Sequence, residues 1–99
     1  MDVLQRNRER VGRFIAAELP AVRHYSPEAG YLAWLDCREL ELARPPQQFF
    51  LEGARVALND GAEFGTPGQG HVRLNFATSR QILDELLERM AEAVRTLST

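Results

Sequence analysis

The feature that most constrains this chain is a change of hydrophobic period near its C-terminus. From residue 70 the sequence runs GHVRLNFATSR and alternates, with Val72, Leu74 and Phe76 on one side and His71, Arg73, Asn75 and Ala77 on the other. A period of two is the mark of a strand with one buried face. From residue 78 the period lengthens. Ile82, Leu83, Leu86, Leu87, Met90, Val94 and Leu97 form one apolar stripe, and Thr78 with Gln81 fits a capping box. Glu85 and Arg89 stand one turn apart, in position to pair. A strand feeding an amphipathic helix must bury both apolar faces together.

The rest of the chain supplies more of the same parts. Residues 2–19 read as a helix on the spacing of Leu4, Val11, Phe14, Ile15 and Leu19, stopped by Pro20. Its first half, QRNRER, is polar all round; it either leans on something outside the chain or is a solvated, frayed end. Residues 21–25 (AVRHY) and 30–37 (GYLAWLDC) read as strands separated by the turn SPEAG. ARPPQQFFLEGA reads as a helix with proline at its start, and RVALN as a third strand. DGAEFGTPGQG is glycine-rich and reads as a loop before the fourth strand, HVRLNFA. The expected fold is α+β: a small, mainly antiparallel sheet of about four strands with helices on one face. Residues 1–99 form a single domain with no internal repeat.

Several chemistries are excluded or disfavoured. All twelve basic residues are arginine, so no lysine amine is available for a Schiff base. Cys37 has no second cysteine to pair with, which excludes an internal disulfide and favours a small buried hydrophobe. His24 and His71 lack partners at metal-ligand spacing, so no metal is expected. No nucleophile elbow is present, and the glycine loop lacks the P-loop lysine. A net charge of -2 argues against nucleic-acid and membrane partners, and the arginines at 6, 8, 10 and 13 read as a solvated face. The apolar runs are too short to span a membrane, and the N-terminus does not resemble a signal peptide. The expected location is cytoplasmic.

One residue stands out. Arg73 occupies the middle of an otherwise apolar strand, and its guanidinium fork suits a carboxylate. Pattern alone leaves two readings: a structural ion pair with one of the fourteen acids of the chain, or an anion-binding role.

Three blocks carry a further resemblance: PEAGYLAWLDCREL, FFLEGARVALNDGAEFG and GQGHVRLNFATSRQILDELLERM. Together they resemble the C-terminal small domain of fold-type I pyridoxal-phosphate enzymes. The resemblance is closest to the cystathionine β-lyase-like C–S lyases grouped with class I/II aminotransferases, and it covers nearly the whole chain. It implies that Arg73 anchors the α-carboxylate of an amino-acid substrate. It also implies that Gly30 and Tyr31 lie near the substrate and that Phe64 and Gly65 border the mouth of the site. The Schiff-base lysine and the groups that hold pyridoxal 5'-phosphate belong, by the same resemblance, to a large domain these residues do not include. No catalytic or cofactor-binding residue is therefore expected in this chain, and no cofactor on this chain alone.

Two functions follow as expectations. The chain is a fragment or truncation of a lyase or aminotransferase of amino-acid metabolism, with the large domain as its partner. Alternatively it is a stand-alone, non-catalytic binding module that keeps the fold. In either case the surface that would meet a large domain is exposed, and a homo-oligomer is expected.

Overall fold

The computed structural model describes residues 3–25, 32–60 and 70–98. Helix α1 (Val3–Glu18) leads into strand β1 (Arg23–Tyr25) and strand β2 (Leu32–Asp36). A 3-10 turn (Arg38–Leu40) and helix α2 (Pro46–Gly53) follow. Strands β3 (Asn59–Asp60) and β4 (His71–Asn75) precede helix α3 (Arg80–Arg95) and a closing 3-10 turn (Thr96–Ser98). The four strands form one sheet in the order β1-β2-β4-β3, and every neighbouring pair is antiparallel. The α+β class and the sheet of about four strands agree with the sequence.

Register explains which face is buried. Ala33 opposes Leu74 and Leu35 opposes Val72, and all four are buried. With Phe76 they pack against Val11, Phe14 and Ile15 of α1 and Leu83, Leu87 and Met90 of α3 in one core. The intervening residues Leu32, Trp34, Asp36, His71, Arg73 and Asn75 occupy the opposite face. Helix α2 enters on Pro45 and Pro46, where a missing amide costs nothing, and buries Phe49 and Phe50 edge to face with centroids 5.0 Å apart.

Four sequence expectations change. RVALN does not form a strand along its length: Arg55 takes a left-handed backbone (φ 57) and the Val56 amide donates to the Phe50 carbonyl, closing α2. Only Asn59 and Asp60 reach β4, opposite Arg73 and Val72. The cap of α3 is Ser79, whose hydroxyl accepts from the Ile82 amide at 3.2 Å, so Thr78 and Gln81 make no capping box. Ile82 on α3 is 55% exposed and Leu97, in the closing 3-10 turn, 46%, and Ala91 and Ala93 complete the buried stripe of α3 instead. A residue next to a core position on a helix lies about 100° around the axis from it, which puts Ile82 beside the core rather than in it.

The fourth change concerns α1. Asn7, in the polar half, is buried. Its amide nitrogen donates to the carbonyls of Phe76 at 2.8 Å and Thr78 at 2.7 Å. The first half of the helix therefore leans on the junction between β4 and α3, within the chain itself. No helix among the described residues is long and apolar enough to cross a membrane.

Candidate functional site

Arg73 lies at the centre of β4, on the sheet face turned away from the helices. Its register partners are Trp34 on β2 and Asn59 on β3, and Trp34 in turn opposes Tyr25 on β1. One row therefore crosses all four strands: Tyr25, Trp34, Arg73, Asn59. Arg73 is half-buried, Trp34 is half-buried and Tyr25 is 49% exposed. A guanidinium held in the middle of a sheet, beside an aromatic ring, has a fixed base and limited hydration. Both conditions strengthen its bond to a carboxylate.

The next row contains Arg23, Asp36 and His71. Asp36 is buried, and its carboxylate is committed to Arg38. One oxygen accepts from the Arg38 amide and Nε, both at 3.0 Å, and the other from Nη2 at 2.8 Å. The Arg38 side chain holds the Asp36 carboxyl at a pKa of about 2, below its usual value, against the opposing effect of burial. His71 Nε2 lies 3.7 Å from Asp36, and its ring stacks on Trp34 with centroids 5.2 Å apart. Asp36, bonded to Arg38, and His71, stacked on Trp34, thus form a connected floor beside Arg73.

Local sequence explains that floor. Gly70 has φ +77, and a Cβ there would stand 2.5 Å from Arg38 Cγ. Only glycine both takes that backbone and leaves room for the Arg38 stem. The Cys37 amide donates to the Gly70 carbonyl at 2.9 Å, tying the end of β2 to the start of β4.

The remaining sequence-derived site residues, Gly30, Tyr31, Phe64 and Gly65, lie outside the described residues. Their flanking residues reach the sheet at opposite ends: Leu32 pairs with Asn75, and Asp60 with Val72. Cys37 is buried, and burial pushes its thiol up to about 12, as suits a packing residue. His24 is half-buried behind α1, and burial lowers its pKa. Among the described residues no group of three or more His, Cys, Asp or Glu could hold a metal. Sequence reasoning missed Asp36 and Asn7. The hint for Asp36 was the DCR triplet, which puts a carboxylate and a guanidinium two residues apart at a strand end.

No protein-family model matches the chain. Similar proteins are nonetheless clear. The chain is 40% identical to the cystathionine beta-lyase of Corynebacterium glutamicum over 95% of its own length and 25% of the relative's. It is 34% identical to the cystathionine beta-lyase PatB of Bacillus subtilis over 92% of its length and 24% of the relative's. Its fold superimposes with a TM-score of 0.88 on the crystal structure of cystalysin from Treponema denticola, which contains pyridoxal 5'-phosphate. That match has 30% identity and covers 96% of this chain and 24% of the other. The chain thus spans about a quarter of the length of the relatives it matches. It is homologous to a C-terminal part of cystathionine β-lyases, and its structural neighbours are pyridoxal-phosphate-dependent C–S lyases and aminotransferases.

Proposed function

We propose that these 99 residues are the substrate-orienting small domain of a pyridoxal-phosphate-dependent C–S lyase, with Arg73 as the anchor for the α-carboxylate of the amino acid. The observation that carries this reading is the position of Arg73. It sits at mid-strand on the open face, opposite Trp34, in a chain whose relatives are cystathionine β-lyases. Two parallel N–H···O bonds from a guanidinium fork fix both the position and the plane of a carboxylate. Fixing that plane limits which bonds at the α-carbon stand in a reactive orientation, and so contributes through positioning.

The residues present fit the substrate rather than the cofactor. With no lysine in the chain, an aldehyde cofactor cannot be bound covalently by it. We read the lysine and the phosphate-binding groups as supplied from outside these 99 residues. The whole protein would act on a cysteine derivative substituted on sulfur. It would remove the α-proton, expel the thiol and, with water, release pyruvate and ammonia. Transfer of the amino group to a keto acid is the reaction of the neighbouring aminotransferases and is the competing outcome. The open face with Tyr25, Trp34 and Leu32 is where we place the contact with the rest of the protein, either within one polypeptide or in a homo-oligomer. The single buried cysteine accords with a cytoplasmic setting.

Steady-state kinetics of the full-length enzyme test the role of Arg73. Arg73→Ala should lower kcat/KM by about a hundredfold or more, largely through KM, with Arg73→Lys intermediate. Unchanged kcat/KM would remove the anchor role. Immunoblotting of source cells with an antibody to this domain tests the assignment as a part. A band well above 11.2 kDa supports it, and a band at 11.2 kDa would make the chain a stand-alone binding module.

A further inference from the structure

Helix α1 and the start of α3 enclose a second basic feature, on the side of the sheet opposite the Arg73 face. A cavity of about 170 Å³ is lined by Arg6, Asn7, Glu9, Arg10, Arg13 and Arg80. Asn7 creates it: by bonding to the carbonyls of Phe76 and Thr78, it holds the first half of α1 against the N-terminus of α3.

The charge in this cavity is not balanced internally. Four guanidiniums face two carboxylates. One is Glu9 in the lining; the other is Asp84, bound by Arg10 Nε at 2.7 Å and 3.7 Å from Arg80 Nε. Among the described residues, two positive charges remain over. Among the described residues, Arg6 and Arg13 have no ion-pair or hydrogen-bond partner. Arg10 uses only its Nε on Asp84, and its guanidinium also lies 5.6 Å from the Phe14 ring centre, so it is held with both terminal nitrogens available as donors.

The arrangement also opposes what helix stability favours. Helix N-termini carry partial positive charge and prefer acidic residues. Neither α1 nor α3 has an acid in its first turn, and α3 places Arg80 at its first position. Arg6 and Arg80 stand in the first turns of α1 and α3, where a cation is disfavoured by the helix dipole, and Arg10 and Arg13 line the same cavity from further along α1; an anion between them would offset both repulsions.

We propose that this cavity binds a doubly charged tetrahedral oxyanion, namely phosphate, either as the free ion or as the terminal group of a small phosphomonoester. The two surplus charges match a dianion. Donors converge from two helices, which suits a tetrahedral group with several acceptor oxygens, whereas a single carboxylate occupies one fork. The site is independent of the role proposed for Arg73.

The test is calorimetric titration of the full-length, cofactor-loaded protein at low chloride. Inorganic phosphate is used in one arm and glycerol phosphate in the other. At least one arm should show saturable binding, and the tighter arm identifies the source. Arg13→Gln and Arg6→Gln should each weaken it about tenfold or more, and both residues are surface-accessible enough to substitute without unfolding the chain. Glycerol phosphate binding should also weaken as pH falls below its second pKa near 6, where the dianion is lost. Phosphate captured elsewhere in the protein would ignore both substitutions. Absence of binding in both arms, or binding that neither substitution alters, overturns the proposal.

Discussion

The side-chain amide of Asn7 donates a 2.8 Å hydrogen bond to the carbonyl of Phe76, joining the first helix to the end of the last strand across 69 positions of sequence. A second bond from the same nitrogen reaches Thr78. Strand β4 ends at Asn75, and the carbonyls of Phe76 and Thr78 follow it into the turn before α3. Asn7 supplies a donor to both. One buried polar side chain thereby sets where α1 lies, where α3 begins and how the arginines between them are spaced.

Replacing Asn7 by alanine should therefore be costly. Two carbonyls lose their donor and a small cavity opens. The expected loss is about 2–3 kcal/mol in chemical denaturation. A loss within the range of ordinary surface substitutions, below about 0.5 kcal/mol, would show that water replaces the amide.

Asp36 gives the fold a defined acid limit. Its carboxyl is depressed from 3.8 to about 2 in the folded protein, first by the side-chain bonds from Arg38. A group with a depressed folded pKa stabilises fully above its unfolded value and loses that contribution as pH falls through the folded one. Stability should thus decline between about pH 4 and pH 2. Arg38 is largely exposed, so screening reduces the effect to on the order of 1 kcal/mol. Asp36→Asn should flatten this part of the pH profile in thermal melts; an unchanged slope would rule out Asp36 as its source.

Gly70 and Arg38 should be coupled. Gly70→Ala forces a side chain into a left-handed backbone and against Arg38 Cγ. We expect a loss of about 1–2 kcal/mol from the backbone alone. The collision adds to this, and Arg38→Ala should recover the collision part. A double-mutant cycle reads the coupling, and strict additivity would mean that Arg38 moves aside freely.

Cys37 should resist alkylation. Its thiol is buried and pushed up to about 12, so very little thiolate exists at neutral pH. Iodoacetamide with intact mass readout should label it only after denaturation. Labelling of the native protein at the unfolded rate would place it on an exposed surface.

Much of the architecture was legible in the sequence because it follows from local periodicity. The alternation in HVRLNFA specifies a strand and its buried side without reference to the rest of the chain, and the spacing of Leu83, Leu87 and Met90 does the same for the last helix, though not for Ile82 and Leu97 at the ends of the stripe. The prolines at 45 and 46 mark the start of α2 in the same local way. RVALN misled because β-propensity reports a fit to a pleated surface, and at residues 55–58 no strand lies alongside to provide one. Thr78 misled because the capping box is a pattern shared by neighbouring residues, and tertiary contact chose between them: the Thr78 carbonyl went to Asn7 and the cap to Ser79.

Arg73 was the one candidate site residue whose position could be compared, and the sequence identified it by its oddity, a charge inside an apolar strand. What the sequence by itself determined is the set of elements, the buried face of each strand and the absence of any lysine. What only the tertiary structure decided is the company each polar residue keeps. His71 lies on Trp34, Asn7 on Phe76, and Arg80 lines one cavity with Arg6 and Arg13. Those pairings join residues up to 74 positions apart, as Arg10 and Asp84 are. No local pattern encodes such a pairing, because its energy exists only once burial has removed the competing water.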